Sequence, residues 1–216
     1  MGAALCRAIE PRFRPVNFDS NSVGRLRERL REETSSVILA AAEQVIGEDG
    51  VHAARMERIA ARAGVSVGTV YNYFTDRASL LQALFDKRAA GMQEKLERAL
   101  AAVSGRPAQE QVEAILGGMV EHGRSHGAFF AALMAEHMGP SRLRPPSFAR
   151  AELGRRTADL VTRAIASGEF REDPYGVFAD ALVSLARLVL MRAIEGKVGP
   201  DDVRALAEVY CRGVAR

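Results

Sequence analysis

The chain has 216 residues, 30 basic and 27 acidic side chains, a net charge of only +3, and 48% hydrophobic residues. That is enough chain to bury a core in one large domain or two small ones, with the composition of an ordinary water-soluble globular protein. Apolar runs such as Leu182–Met191 fall far short of the ~20 residues that a membrane-spanning helix needs. So weak a net charge does not by itself announce a nucleic-acid binder.

Residues 1–22 carry Pro11 and Pro15 and no periodicity, which reads as an N-terminal tail. The opening Met1–Cys6 lacks a basic start and a long apolar centre, so it makes a poor secretion signal. Cys6 and Cys211 stand at opposite ends and form neither a disulfide framework nor a metal cluster, so a reducing cytoplasm is the expected home. From Val23 the chain turns helical. Arg25, Arg27, Arg29 and Arg31 could reach neighbouring phosphates, but Glu28, Glu32 and Glu33 interleave with them. A solvated helix start with Arg–Glu pairs is therefore favoured. An amphipathic helix over Ile38–Ile46 follows and stops at Glu48-Asp49-Gly50.

The most informative stretch is 55–74, RMERIAARAGVSVGTVYNYF. Met56, Ile59, Ala60 and Ala63 fall at i, i+3, i+4 and i+7, one face of a helix. Gly64, with no Cβ to clash, can take the left-handed conformation that ends it. Val65 plugs the space between helices, and Ser66 is a good N-cap for the next one. Two short helices joined by a tight glycine turn are a helix-turn-helix, whose second helix enters a major groove. In that second helix Val70 and Phe74 should face inward onto Ile59. Val67, Gly68, Thr69, Tyr71, Asn72 and Tyr73 are then left outward.

The order is amphipathic helix, loop, helix, Ala-Gly-Val-Ser turn, helix with Gly-Thr-Val-Tyr-Asn-Tyr-Phe, then a basic residue opening a long helix. It closely resembles the DNA-binding domain of the TetR family of bacterial transcriptional regulators over roughly residues 34–85. Two positions depart from that pattern: Ala53-Ala54-Arg55 stands where the family often has Thr, and Arg77 where it usually has Lys. The resemblance implies an all-helical homodimer with a variable C-terminal domain that binds a small molecule and releases the DNA. It also implies groove and phosphate contacts from Val67, Gly68, Thr69, Tyr71, Asn72 and Tyr73. In that reading Asn72 pairs with adenine, Val67 or the Thr69 methyl meets a thymine methyl, and the tyrosine hydroxyls bind phosphates. Ser66, Arg55 and Arg77 would fix register on the phosphates.

Beyond Asp76 helices are expected to about Val103 and then at 108–122, 126–138, 147–167, 174–196 and 200–214. They are separated by Gly- or Pro-bearing segments. The whole is expected to be all-α with about nine helices: a tail at 1–22, a helix-turn-helix domain at 23–75, and a ligand-binding and dimerisation bundle at 76–216. Met119, His122, His126, Phe129, Phe130, Leu133, Met134 and His137 are the candidate ligand pocket, apolar bulk with a few polar points. For any one of the apolar residues, plain core is the simpler reading. The apolar stripes Phe178, Leu182, Leu185 and Val189, with Leu188 and Met191 widening the first, and Val203, Leu206, Val209 or Tyr210, and Val214 are the candidate dimer helices. Two-fold symmetry would then match a pseudo-palindromic operator.

Two other patterns fail their context. Gly64-Val65-Ser66-Val67-Gly68 matches the Gly-x-Ser-x-Gly of α/β-hydrolases, but that chemistry needs a strand before the serine and here a helix precedes it. His122 and His126 are four apart, yet Gly123 and Gly127 argue against a continuous helix and no Cys lies nearby, so no metal or other cofactor is assigned. The expected function is a repressor released from its operator by a small apolar effector. A ligand-independent or activating DNA-binding protein is the alternative, and a helical enzyme a remote one.

Overall fold

A computed structural model of the chain describes residues 20–135 and 147–216, with side chains over 23–132 and 151–216. Among the described residues there are eight α-helices, a short 3-10 turn and no strand beyond an isolated bridge between Phe170 and Ala215. The chain divides into two compact units, 1–36 and 37–216.

The described part of the first unit is the opening of helix α1 (Ser20–Asp49). Leu26 and Leu30 are exposed on it. Thr34 Oγ1 donates to the Leu30 carbonyl one turn back, at 2.8 Å.

The second unit begins with the remainder of α1, then the turn Val51–Ala53, α2 (Met56–Ala63) and α3 (Val67–Tyr73). Ile38, Ala42, Val45 and Ile46 fall at i, i+4, i+7 and i+8, so α1 turns one solid apolar face onto Ile59, Val70 and Phe74. Helix α4 (Arg77–Ala102) starts on a capping box. There the Ser79 N–H donates to Asp76 Oδ1 at 2.7 Å, and the Asp76 N–H donates to Ser79 Oγ at 3.2 Å. Leu80, Leu81 and Leu84 enter the helix-turn-helix core, whereas Leu96 enters a second apolar cluster built by the later helices. The change of core thus happens inside α4, past the boundary expected at residue 75.

Helix α5 (Ala108–Ala135) is continuous, where the sequence suggested a break between 122 and 126. Gly123 serves packing instead. A Cβ on Gly123 would stand 2.8 Å from Ala193 Cβ and 3.1 Å from the Leu190 carbonyl oxygen, whereas one on Gly127 would make only ordinary contact with Ile194. The missing side chain at Gly123 lets α7 (Phe178–Ile194) lie close along α5, which offsets the entropic cost of glycine in a helix. Merging those two segments is why eight helices are found where about nine were expected. Helix α6 (Ser147–Ala166) packs on α7, and α8 (Pro200–Val214) on α5. Helix α7 begins at Phe178 rather than 174, because Asp173 and Gly176 make a turn first. The Asp173 carboxylate accepts the N–H groups of Val177 and Phe178 at 3.0 and 2.8 Å, and Gly176 sits at φ 65°.

Candidate nucleic-acid interface and adjoining polar cluster

The turn between α2 and α3 follows its local chemistry. Gly64 adopts φ 69°, ψ 29°, and its N–H donates to the Ala60 and Ala61 carbonyls, closing α2. Ser66 caps α3, its Oγ accepting the Thr69 N–H at 3.0 Å and lying 2.8 Å from Thr69 Oγ1. The hydrolase-like Gly-x-Ser-x-Gly is therefore a helix stop followed by a helix start. Val70 and Phe74 are buried, and Ser66, Gly68, Tyr71 and Asn72 are exposed on the other side, with Thr69 half-buried beside them.

Two side chains expected to point outward do not fully do so. Val67 and Tyr73 are half-buried against the helix-turn-helix core, and the Tyr73 ring stands 6.5 Å from that of Phe74. The reason is helical spacing: Val67 precedes buried Val70 by three residues, and Tyr73 follows it by three, so both flank the inward face.

Three of the four arginines around the recognition unit are engaged within the protein. Arg58 and Arg62 pair with Asp49 and Glu48 at the end of α1, nine and fourteen residues back. The Arg62 hydrogen bond holds the exposed Glu48 carboxyl below its ordinary range. Arg77, expected on phosphate, donates from Nη2 to the Val51 carbonyl, and its Nε is buried without a hydrogen-bond partner. Arg55 remains exposed at the N-cap of α2, with extended backbone and no side-chain cap bond.

Of the pocket candidates, Met119 is buried in the second cluster and Phe129 in the helix-turn-helix cluster, while Phe130 and His126 are half-buried. The side chains of Leu133, Met134 and His137 lie outside the described residues. Continuity of α5 places His122 and His126 on successive turns, ring centroids 4.9 Å apart. His126 Nδ1 is 2.8 Å from Glu43 Oε1, and the other Glu43 oxygen accepts from Arg88 Nη2. Glu43 and Arg88 were not singled out from sequence. They lie 83 and 38 residues before His126, and the one local hint was a carboxylate inside the apolar run Ile38–Ile46. Among the described residues no group of three or more His, Cys, Asp or Glu is arranged for a metal ion.

His122 is 2% exposed. Burial pushes its pKa down from 6.5 to about 4, with His126, Lys95 and Arg88 adding repulsion and Glu121 opposing them. An imidazole kept neutral when folded but free to protonate when unfolded contributes stability that is complete above about pH 6.5. That stability is lost as pH falls toward about 4, by up to about 3 kcal/mol. In urea unfolding at fixed protein concentration, His122→Phe should shrink the difference in stability between pH 7 and pH 4.5 relative to the parent. An unchanged difference would mean that His122 does not titrate this way.

The candidate dimer face needs correcting. Phe178, Leu182, Val189 and Tyr210 are buried in the protomer's own core, and the Tyr210 hydroxyl donates to the Phe178 carbonyl at 2.8 Å. Leu185 and Leu206 are half-buried at the margin. The apolar side chains that α7 and α8 leave to solvent are Leu188, 54% exposed, and Val209, 71% exposed. The inward stripe is the one that α5 and α6 already cover.

Residues 38–84 match the family described as bacterial regulatory proteins of the tetR family. The HTH-type transcriptional regulator BetI of Escherichia coli K12 is 31% identical over 98 residues, 45% of this chain and 50% of that protein. The chain thus spans about half the length of the curated relatives it matches. A TetR-like transcriptional regulator from Rhodococcus sp. RHA1 is 25% identical with a TM-score of 0.63, over 85% of this chain and 94% of that one. The fold is also shared with the transcriptional regulator FadR from Bacillus subtilis, solved in complex with stearoyl-CoA. That structure is 20% identical with a TM-score of 0.66, over 83% of this chain and 98% of that one. The helix-turn-helix over residues 38–84 is thus similar to that of the tetR family of bacterial regulatory proteins, and the all-helical fold is shared with these solved structures.

Proposed function

We propose that the chain is a sequence-specific DNA-binding transcriptional regulator, a repressor released from its operator by a small-molecule effector. The observation that carries this reading is the exposed face of α3. Gly68, Tyr71 and Asn72 stand open to solvent with Thr69 half-buried among them, on a helix anchored from behind by Val70 and Phe74. Asn72 and Thr69 read base edges, Tyr71 and Arg55 hold phosphates, and the close backbone at Gly68 admits the groove wall. Val67 and Tyr73 contribute only their outer edges, and Arg77 positions the start of α4 through Val51.

The regulator acts as a homodimer joined across α7 and α8 through Leu188 and Val209, with Leu185 and Leu206 beside them. Two recognition helices then meet a pseudo-palindromic operator. The effector binds among α4 and α5 near His122, His126 and Phe130. The likeness to FadR, solved with stearoyl-CoA, supports a small-molecule effector. To matter, the effector must prefer the DNA-incompetent state by about 1–3 kcal/mol. Ser66 is engaged with Thr69 as the cap of α3, and its role in this reading is structural. Among the described residues no helix is long and apolar enough to cross a membrane, and the proposed place of action is the cytoplasm.

The test is a titration on promoter DNA against random DNA at two salt concentrations. A regulator of this kind shows a specificity ratio of about 10³ or more, whereas steep salt dependence without preference marks a nonspecific binder. Asn72→Ala should cost about 1–3 kcal/mol on operator and little on random DNA, whereas Arg55→Ala weakens both alike. Equal losses from the two changes would contradict the assigned roles. A specific binder whose operator affinity no effector alters would be the ligand-independent alternative.

A further inference from the structure

Where α1, α4 and α5 meet, a polar cluster sits between the helix-turn-helix and the later helices. The Glu43 side chain, 17% exposed, divides its two oxygens between Arg88 of α4 and His126 of α5. Glu43 belongs to the same stretch of α1 that carries Ile38, Ala42, Val45 and Ile46 into the helix-turn-helix core. A shift of this carboxylate is therefore felt by the recognition unit. One turn before His126 lies the buried His122, its ring 5.8 Å from that of Phe130, which in turn meets Phe85 edge-on at 6.3 Å.

Three buried side-chain nitrogens lack a hydrogen-bond partner among the described residues, and two of them, Arg88 Nε and His122 Nδ1, are in this one cluster. Arg88 Nε is a donor, and a neutral imidazole donates from Nδ1 in one of its tautomers. Leaving buried donors unpaired is unfavourable, and native structures rarely do so without a function. Both want an acceptor. Lys87 adds positive charge beside Arg88, and Lys95 adds it beside His122 while pairing with Glu121 at 2.7 Å. Phe85 and Phe130 are half-buried aromatic rings next to His122 through Phe130.

We propose that this cluster takes the head of an amphipathic anion, a carboxylate or phosphate ester on an apolar body. Arg88 Nε and His122 Nδ1 donate to the head, and Phe85 and Phe130 flank the body. The head competes with the Glu43 carboxylate for Arg88, so occupancy loosens α1 from α4 and α5. This rests on the regulator reading above and gives its effector a chemical class: apolar, but with an acidic end.

The experiment uses the full chain and measures binding of sodium decanoate, decyl phosphate and neutral decan-1-ol by calorimetry. The two anions should bind about tenfold or more tightly than the alcohol. His122→Leu and Arg88→Met should lower anion affinity about tenfold while leaving the alcohol unchanged. Glu43→Gln, which removes the competing charge, should tighten anion binding, a gain that misfolding cannot imitate. Whichever of the two anions binds better identifies the head. Equal binding of anions and alcohol, failure of both anions to bind, or weaker or unchanged anion binding in Glu43→Gln would overturn the proposal. Operator titration without any probe separates the two readings. Intact sequence-specific binding alongside failed anion recognition sinks only the effector class, and absent sequence-specific binding sinks the regulator reading itself.

Discussion

Phe129→Ala is expected to destabilise the chain by about 3–5 kcal/mol, the largest loss from any single substitution considered. Phe129 is 1% exposed and lies on α5, yet it packs into the cluster formed by α1, α2 and α3. Its ring meets that of Phe130 at 5.1 Å. The neighbouring backbone fits tightly, since a Cβ on Gly47 of α1 would stand 3.1 Å from Ala128 Cβ. Such a site has little room to collapse around a missing ring, so the cavity term adds to the lost burial. Urea unfolding measures the effect. A cost below about 1 kcal/mol would mean that α5 contributes nothing essential to the helix-turn-helix core. Operator affinity should fall as well, because this ring and the Glu43 cluster are among the contacts through which α5 holds α1.

Leu188→Glu combined with Val209→Glu should convert the proposed dimer to a folded monomer and lower operator affinity on the order of 10²-fold or more. One half-site contact then has to act without the second. Both side chains are exposed in the protomer, 54% and 71%, so the two charges do little to the protomer's own stability. Facing a second copy across a two-fold axis, they would place four buried carboxylates in one interface, which is strongly unfavourable. Sedimentation and the operator titration read the two outcomes together. A variant that stays dimeric, or a monomer with undiminished operator affinity, would remove α7 and α8 from the interface. Leu182→Ala is the contrasting case, since Leu182 is fully buried and its loss appears as instability rather than dissociation.

The recognition unit was legible from sequence because each of its determinants acts over a few residues. Gly64 in the left-handed region, Ser66 reaching Thr69, and Val70 with Phe74 on one helix face are all local. The same locality explains the misreadings. On a helix of seven residues the inward face widens to include Val67 and Tyr73, and whether a flanking side chain is covered depends on what stands across from it. Gly123 and Gly127 look like helix breakers when judged by propensity alone. Only the approach of α7 shows that Gly123 is a spacer, and Gly127 is carried within the unbroken α5. The stripe Phe178, Leu182 and Val189 on α7, like Tyr210 on α8, carried no label saying whether it faced a second copy or the chain's own core, because burial in either looks identical in sequence.

The chain's letters alone determined an all-helical protein with a capped helix-turn-helix at 55–74, since capping, left-handed turns and helical periodicity are properties of neighbours along the backbone. Tertiary structure decided which cations are free, which apolar face is left over, and that Glu43 joins Arg88 and His126. Those partners are 45 and 83 residues away, and their pairing follows from how whole helices pack against one another, which no local rule encodes.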